Sequence, residues 1–283
     1  MITYKNVTKT YGELIAVNDL NMEVQRGEFF CLLGPNGAGK TTIMRMTATL
    51  TPLTSGTIEI NGQQIHRDLT ETKSKFGIVP QYSNLEGELT AYQNLAYHGK
   101  LYGIHKDVCH TRIGQVLEFF GLTDRQNDRA RFFSGGMQRK LMIAKALMHD
   151  PEILLLDEPT VGLDATTRRK IWDYLHTLRR NGLTIVMTTH YLEEAQILCE
   201  RVGLIDEGKL AMIDTPEKII KRVGKFVIDY FKNGETHQRF FEDRESAITA
   251  AASIEGDFKV RESNLEDVFI KLTNKNLGAR YEI

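Results

Sequence analysis

The stretch from Phe29 to Met46, FFCLLGPNGAGKTTIMRM, constrains this chain more than any other. FFCLL reads as a buried strand, and the residues after the glycines read as a helix. Between them GPNGAGKTT, Gly34 to Thr42, fits G-x-x-x-x-G-K-[ST] in full. Gly34, Gly37 and Gly39 keep side-chain bulk off the turn, so successive backbone N–H groups can face phosphate oxygens. Pro35, Asn36, Ala38 and Thr42 complete the same cradle. Lys40 adds a point charge for the outer phosphates, and the Thr41 hydroxyl suits Mg²⁺.

A metal-bound phosphate needs a carboxylate nearby, and EILLLDEPT supplies one. The apolar run Ile153 to Leu156 suits a central parallel strand buried on both faces. Asp157 and Glu158 emerge at its carboxyl end, where open α/β sheets bind ligands, and Pro159 ends the pairing. Asp157 is placed to hold Mg²⁺ directly or through water, and Glu158 to polarise an attacking water. TIVMTTH ends a further strand in His190, a position as compatible with a structural role as with nucleotide contact. Gln81, after FGIVP, offers an amide that can ligate metal or position water.

Composition narrows the class. The chain has 283 residues, 41% hydrophobic and 26% charged, with a net charge of −1. There is no basic excess to suggest nucleic acid. Apolar runs are too short to span a bilayer, and MITYKNVTKTYG lacks a signal-peptide pattern. Cys31, Cys109 and Cys199 are scattered, which argues against disulfides or zinc and suits a reducing cytosol. Cys31 lies within FFCLL and is expected in the core.

SGG, Ser134 to Gly136, opens a second segment stripped of side chains. Met137, Leu141, Ala144, Leu147 and Met148 follow at helical spacing, so the glycines stand at a helix N-terminus that favours anions. Tyr11 in KTYG, GPNGAGKTT, Gln81, SGG, ILLLDEPT, VGLD ending at Asp164, and His190 then follow one another in order. That ordered set resembles the ATP-binding subunit of an ABC transporter.

The resemblance implies ATP and Mg²⁺ as ligands, Tyr11 stacked on adenine, Gln81 sensing the metal, and His190 at the γ-phosphate. It also implies that Ser134, Gly135, Gly136 and Asp164 serve the nucleotide held by a second copy or paralogue. A polytopic permease would be the other partner, with this chain cytoplasmic and peripheral on the inner membrane face. Phe133 and Met137 depart from the family's leucine and glutamine, leaving Gln138 as a partial substitute. The alternative is a soluble ATPase of the same type acting on ribosomes or iron–sulfur assembly.

The expected fold is an α/β P-loop NTPase core over residues 1–216, with an antiparallel β-subdomain from ITYKNV, LNMEV and TIEI. A helical subdomain is expected over about 82–145. Most of Tyr82, Leu85, Leu89, Tyr92, Tyr97 and Tyr102 are assigned there to the core. RVGLIDEGKLAMIDTP predicts a hairpin turning at Glu207 to Lys209. Residues 217–283 predict a small α/β domain, ferredoxin-like in outline, with Ser263 and Glu266 boxing the N-terminus of its last helix. LEDVFIKLT resembles the C-terminal extension of ATPases that serve drug, polysaccharide or sodium exporters. Its role is open between regulation of the pair and a passive stabilising appendage.

Overall fold

A computed structural model describes residues 1–65, 70–232, 234–254 and 256–274. The chain opens with antiparallel strands β1 (Ile2–Tyr11) and β2 (Leu14–Val24), then enters β3 (Phe29–Leu33) and helix α1 (Lys40–Thr47). Strands β4 (Ser55–Ile60) and β5 (Gln63–Gln64) return to the first pair and give the four-stranded order β2-β1-β4-β5. Ile2 and Tyr4 on β1, and Ile58 and Ile60 on β4, are buried at alternate positions, the pattern of a sheet with one covered face.

After α2 (Thr70–Ser74) and β6 (Phe76–Val79), the chain forms α3 (Ala91–Leu101), α4 (Lys106–Phe119) and α5 (Gly135–Ala146). Thr90 and Gln93 close a capping box on α3. Leu95, Ile113, Leu117, Phe120 and Leu141 form the buried seam of these helices. None of the six tyrosines and leucines expected in that core is fully buried, and Tyr82 is 80% exposed. Three of them, Tyr82, Leu85 and Leu89, lie in the loop before α3, beyond the reach of helical periodicity.

Strands β7 (Ile153–Asp157) and β8 (Thr184–Thr189), joined by α6 (Ala165–Arg180), complete the centre of a six-stranded sheet. Helix α7 (Leu192–Leu198) precedes the hairpin of β9 (Arg201–Asp206) and β10 (Lys209–Asp214), and the sheet order is β10-β9-β3-β8-β7-β6. Glu207 and Gly208 both take positive φ at the hairpin turn, as a two-residue primed turn requires. Strands β3, β8, β7 and β6 are parallel in register, with Leu33 opposite Thr189, and Thr188 opposite Asp157. The segments that follow these four strands, beginning at Gly34, His190, Glu158 and Pro80, therefore leave along one edge.

The remaining elements are α8 (Pro216–Lys221), β11 (Phe226–Lys232), β12 (Glu235–Phe241), α9 (Arg244–Ala251), β13 (Phe258–Glu262) and α10 (Leu265–Asn274). The last three strands form an antiparallel sheet ordered β12-β11-β13, and Ile228, Ala247 and Ala251 form its core. Among the described residues, three strands in a β-β-α-β-α sequence differ from the four-stranded ferredoxin-like unit. Compact units divide the chain otherwise than at residue 216: α7 and the chain from Ile213 onward form the second, while Met1–His190 and Gly203–Met212 form the first. The cap of α10 is shifted by one residue from Ser263–Glu266. Asp267 N–H donates to Asn264 Oδ1 at 3.1 Å, and Asn264 N–H donates to Asp267 Oδ2 at 2.8 Å.

Candidate functional site

The loop after β3 is shaped by what surrounds it. A Cβ on Gly34 would lie 2.2 Å from the Ile205 carbonyl oxygen. Gly39 caps α1 at φ 99°, and a Cβ there would lie 2.4 Å from the Ala16 oxygen. Both positions exclude any side chain, whereas Gly37 needs its glycine for φ 83° with open space around it. The loop wraps around Lys40, whose ammonium donates to the carbonyls of Gly34 at 2.7 Å and Pro35 at 3.0 Å. Burial lowers the Lys40 pKa, opposed by the charges of Glu158, Cys31 and Asp157.

Asp157 sits behind the loop. Its Oδ1 accepts from the hydroxyls of Thr188 at 2.6 Å and Thr41 at 3.2 Å. Thr188 also anchors the next residue, because the Glu158 N–H donates to both its carbonyl and its hydroxyl at 3.1 Å. Held there, Glu158 takes φ 49° and turns its carboxylate toward Gln81 and His190. Gln81 Nε2 donates to Glu158 Oε2 at 3.4 Å, and His190 Nδ1 lies 3.2 Å from the same oxygen. His190, for which the sequence left two roles open, is thus brought to the carboxylate rather than into the packing beneath it.

The loop, Gln81, Glu158 and His190 border a cleft of about 820 Å³, which Asn36 to Thr42 and Tyr11 also line. Tyr11 is 46% exposed, with the Lys9 ammonium 4.8 Å from its ring centre. A flat, half-exposed aromatic lining the same cleft as the phosphate cradle can stack a base.

Ser134, Gly135, Gly136 and Asp164 do not line this cleft. Ser134 caps α5 by accepting from the Met137 N–H at 3.3 Å. Its hydroxyl hydrogen remains available to another acceptor, as do the first N–H groups of the helix. Asp164 caps α6, accepting from the Thr167 N–H at 2.9 Å and the Thr167 hydroxyl at 2.6 Å. Those bonds, the hydroxyl's first, hold the Asp164 carboxyl below its ordinary pKa. Gln138 points away from any such role: its amide donates to the carbonyls of Ala130 and Phe133.

With this geometry in place, residues 17–161 match the family model described as ABC transporter. The chain belongs to the ABC transporter family. As an ATP-binding subunit of that family it binds and hydrolyses ATP. It is 42% identical to the linearmycin resistance ATP-binding protein LnrL of Bacillus subtilis over 79% of its length and 72% of that protein's. It is 37% identical to Nod factor export ATP-binding protein I of Cupriavidus metallidurans over 98% of both chains. Its fold is similar to that of the ATP-binding cassette MJ0796, solved as a dimer in a post-hydrolysis state with ADP and Pi. The TM-score is 0.68 at 31% identity, covering 76% of this chain and 98% of that one.

Three residues of this ATP-binding subunit carry site geometry that sequence patterns do not flag. Thr188 orients both acidic residues, Thr167 holds Asp164, and Arg139 reaches back from α5 to the Gln81 segment. Arg139 is buried and donates to the carbonyls of Pro80 at 3.0 Å and Gln81 at 3.1 Å. The only sequence signal was indirect: a threonine closing an apolar strand, and an arginine one turn past the glycines.

Proposed function

We propose that this chain powers an exporter, working as a head-to-tail pair that encloses two ATP molecules and drives a separate membrane-spanning subunit. The observation that carries the reading is the convergence of Gln81 and His190 on one oxygen of Glu158, beside the loop that holds Lys40. In this reading the amides from Gly37 to Thr41 cradle phosphate, Tyr11 faces the base, and Lys40 trades its carbonyl partners for phosphate oxygens.

The donor set fits magnesium. The Thr41 hydroxyl and the Asp157 carboxylate, 3.2 Å apart, are hard oxygen ligands, with Gln81 as a third, leaving positions for water and phosphate. Such an ion supplies charge neutralisation at the transferred phosphoryl group. Glu158 orients and deprotonates water, and Gln81 and His190 fix the direction of its carboxylate. His190 also reaches the γ-phosphate.

Ser134, Gly135, Gly136 and Asp164 complete the cleft of a second copy or paralogue, which accounts for their absence from the lining of their own. The dimeric state of the MJ0796 cassette supports pairing. The name of the Nod factor export relative supports export, and a cytoplasmic position against a permease belongs to the same reading. The ribosomal or iron–sulfur alternative has no such support among these relatives.

Glu158→Gln tests the reading. The variant is expected to keep ATP and accumulate as a pair with doubled mass by light scattering, while adding Lys40→Ala removes both ATP binding and pairing. A Glu158→Gln protein that stays monomeric in saturating ATP and magnesium would refute it.

A further inference from the structure

Gly136 is a glycine whose backbone does not require one. It lies in the first turn of α5, outside the left-handed region, where glycine is a poor helix former. Space explains it instead. A Cβ on Gly136 would lie 2.3 Å from Thr167 Cγ2, while the Thr167 hydroxyl and Cβ stand at 3.4 and 3.5 Å. Gly135 differs: a Cβ there meets Leu163 Cδ2 at an ordinary 3.8 Å.

The same threonine caps its own helix through Asp164, with its hydroxyl on Oδ2 and its N–H on Oδ1. Capping by itself is common chemistry in this chain. Asp243 and Ser246 repeat it on α9 with a serine, which has no methyl group. What Thr167 adds is the methyl, seated where the missing Cβ of Gly136 would be.

We propose that Thr167 is a positioning residue that fixes the spacing between Asp164 and the Ser134–Gly136 turn, and that Gly136 is glycine to admit its methyl group. This rests on the reading that both groups meet the nucleotide of a second copy. One side chain then ties them into a single unit: the hydroxyl orients the carboxylate and the methyl sets the height of the helix N-terminus. A displacement at either is passed to the other through Thr167.

The test uses the full chain carrying Gly136→Ala, Thr167→Ser, Thr167→Val and combinations. Gly136→Ala is expected to lower kcat about tenfold through the clash, with fluorescent-ATP affinity of the single copy unchanged. Thr167→Ser removes the methyl, so the double variant Gly136→Ala/Thr167→Ser is expected to recover kcat to within about threefold of Thr167→Ser alone. Thr167→Val keeps the methyl and gives no recovery when combined with Gly136→Ala.

A double variant as inactive as Gly136→Ala would overturn the proposal, because the space would then belong to something other than Thr167. So would a Gly136→Ala protein with wild-type kcat. Pairing by Glu158→Gln with positions 136 and 167 intact is measured alongside. Its absence refutes the paired reading, whereas pairing without the recovery refutes the role of Thr167.

Discussion

Glu158 leaves strand β7 in the left-handed region, a conformation that costs a non-glycine residue about 1 kcal/mol or more. Two bonds from its N–H to Thr188 offset the cost, and the reward is a carboxylate facing Gln81 and His190. His98, on α3, is a second residue held against its preference. Its ring packs against Tyr102 and His149, which stack on each other, and burial, then the charges of His149 and Lys145, push its pKa down from 6.5 to about 4. Between those values the unfolded chain binds a proton that the folded one refuses, so this contribution to stability is full above pH 6.5 and lost as pH falls toward 4. The melting temperature of His98→Asn is therefore expected to fall less steeply than that of the wild type across this window. Parallel curves would count against the assignment. Neither feature can be read from the sequence, because a backbone angle and a buried ring have no pattern of their own.

Among the elements, the strands that carry the chemistry were legible. FFCLL, ILLL and TIVMTT are continuous apolar runs, and every residue of β3 and β8 is buried. The helical region was legible as helix but not in its core. Residues such as Ala91, Leu95 and Phe120 fill the seam, while Tyr82, Tyr97 and Tyr102 stand exposed. The α10 cap was misplaced because Ser263 and Asn264 both fit a capping pattern, and Asp267 decides between them. Its carboxylate also takes two bonds from Arg261, each 2.8 Å, while the same guanidinium reaches Asp229 at 2.6 Å. Arg261→Met leaves Asp267, 1% exposed, beside Asp229 without a countercharge. The expected cost is about 3 kcal/mol, read by hydrogen exchange at the β11 amides. Exchange unchanged from the wild type would show the network to be dispensable.

At the scale of the whole molecule, the chain forms two compact units, and among the described residues no helix is long and apolar enough to cross a membrane; the separate membrane subunit proposed above is open to a direct test. Affinity purification from solubilised membranes is expected to recover a polytopic protein in near-stoichiometric amount. Exclusive recovery with ribosomes would favour the soluble alternative.

Local chemistry determined the phosphate loop, the acidic strand end and the family, because a turn that admits phosphate backbone-first needs glycines and a lysine at fixed spacing. Tertiary structure decided which side chains share an oxygen, which threonine stands behind each carboxylate, and why Gly136 bears no side chain. Those contacts join Glu158 to residues 30 to 77 positions away at Thr188, His190 and Gln81, or seat a methyl from one helix on the start of another. Periodicity along a chain carries no information about distances of that kind; only the packing of the sheet and helices sets them.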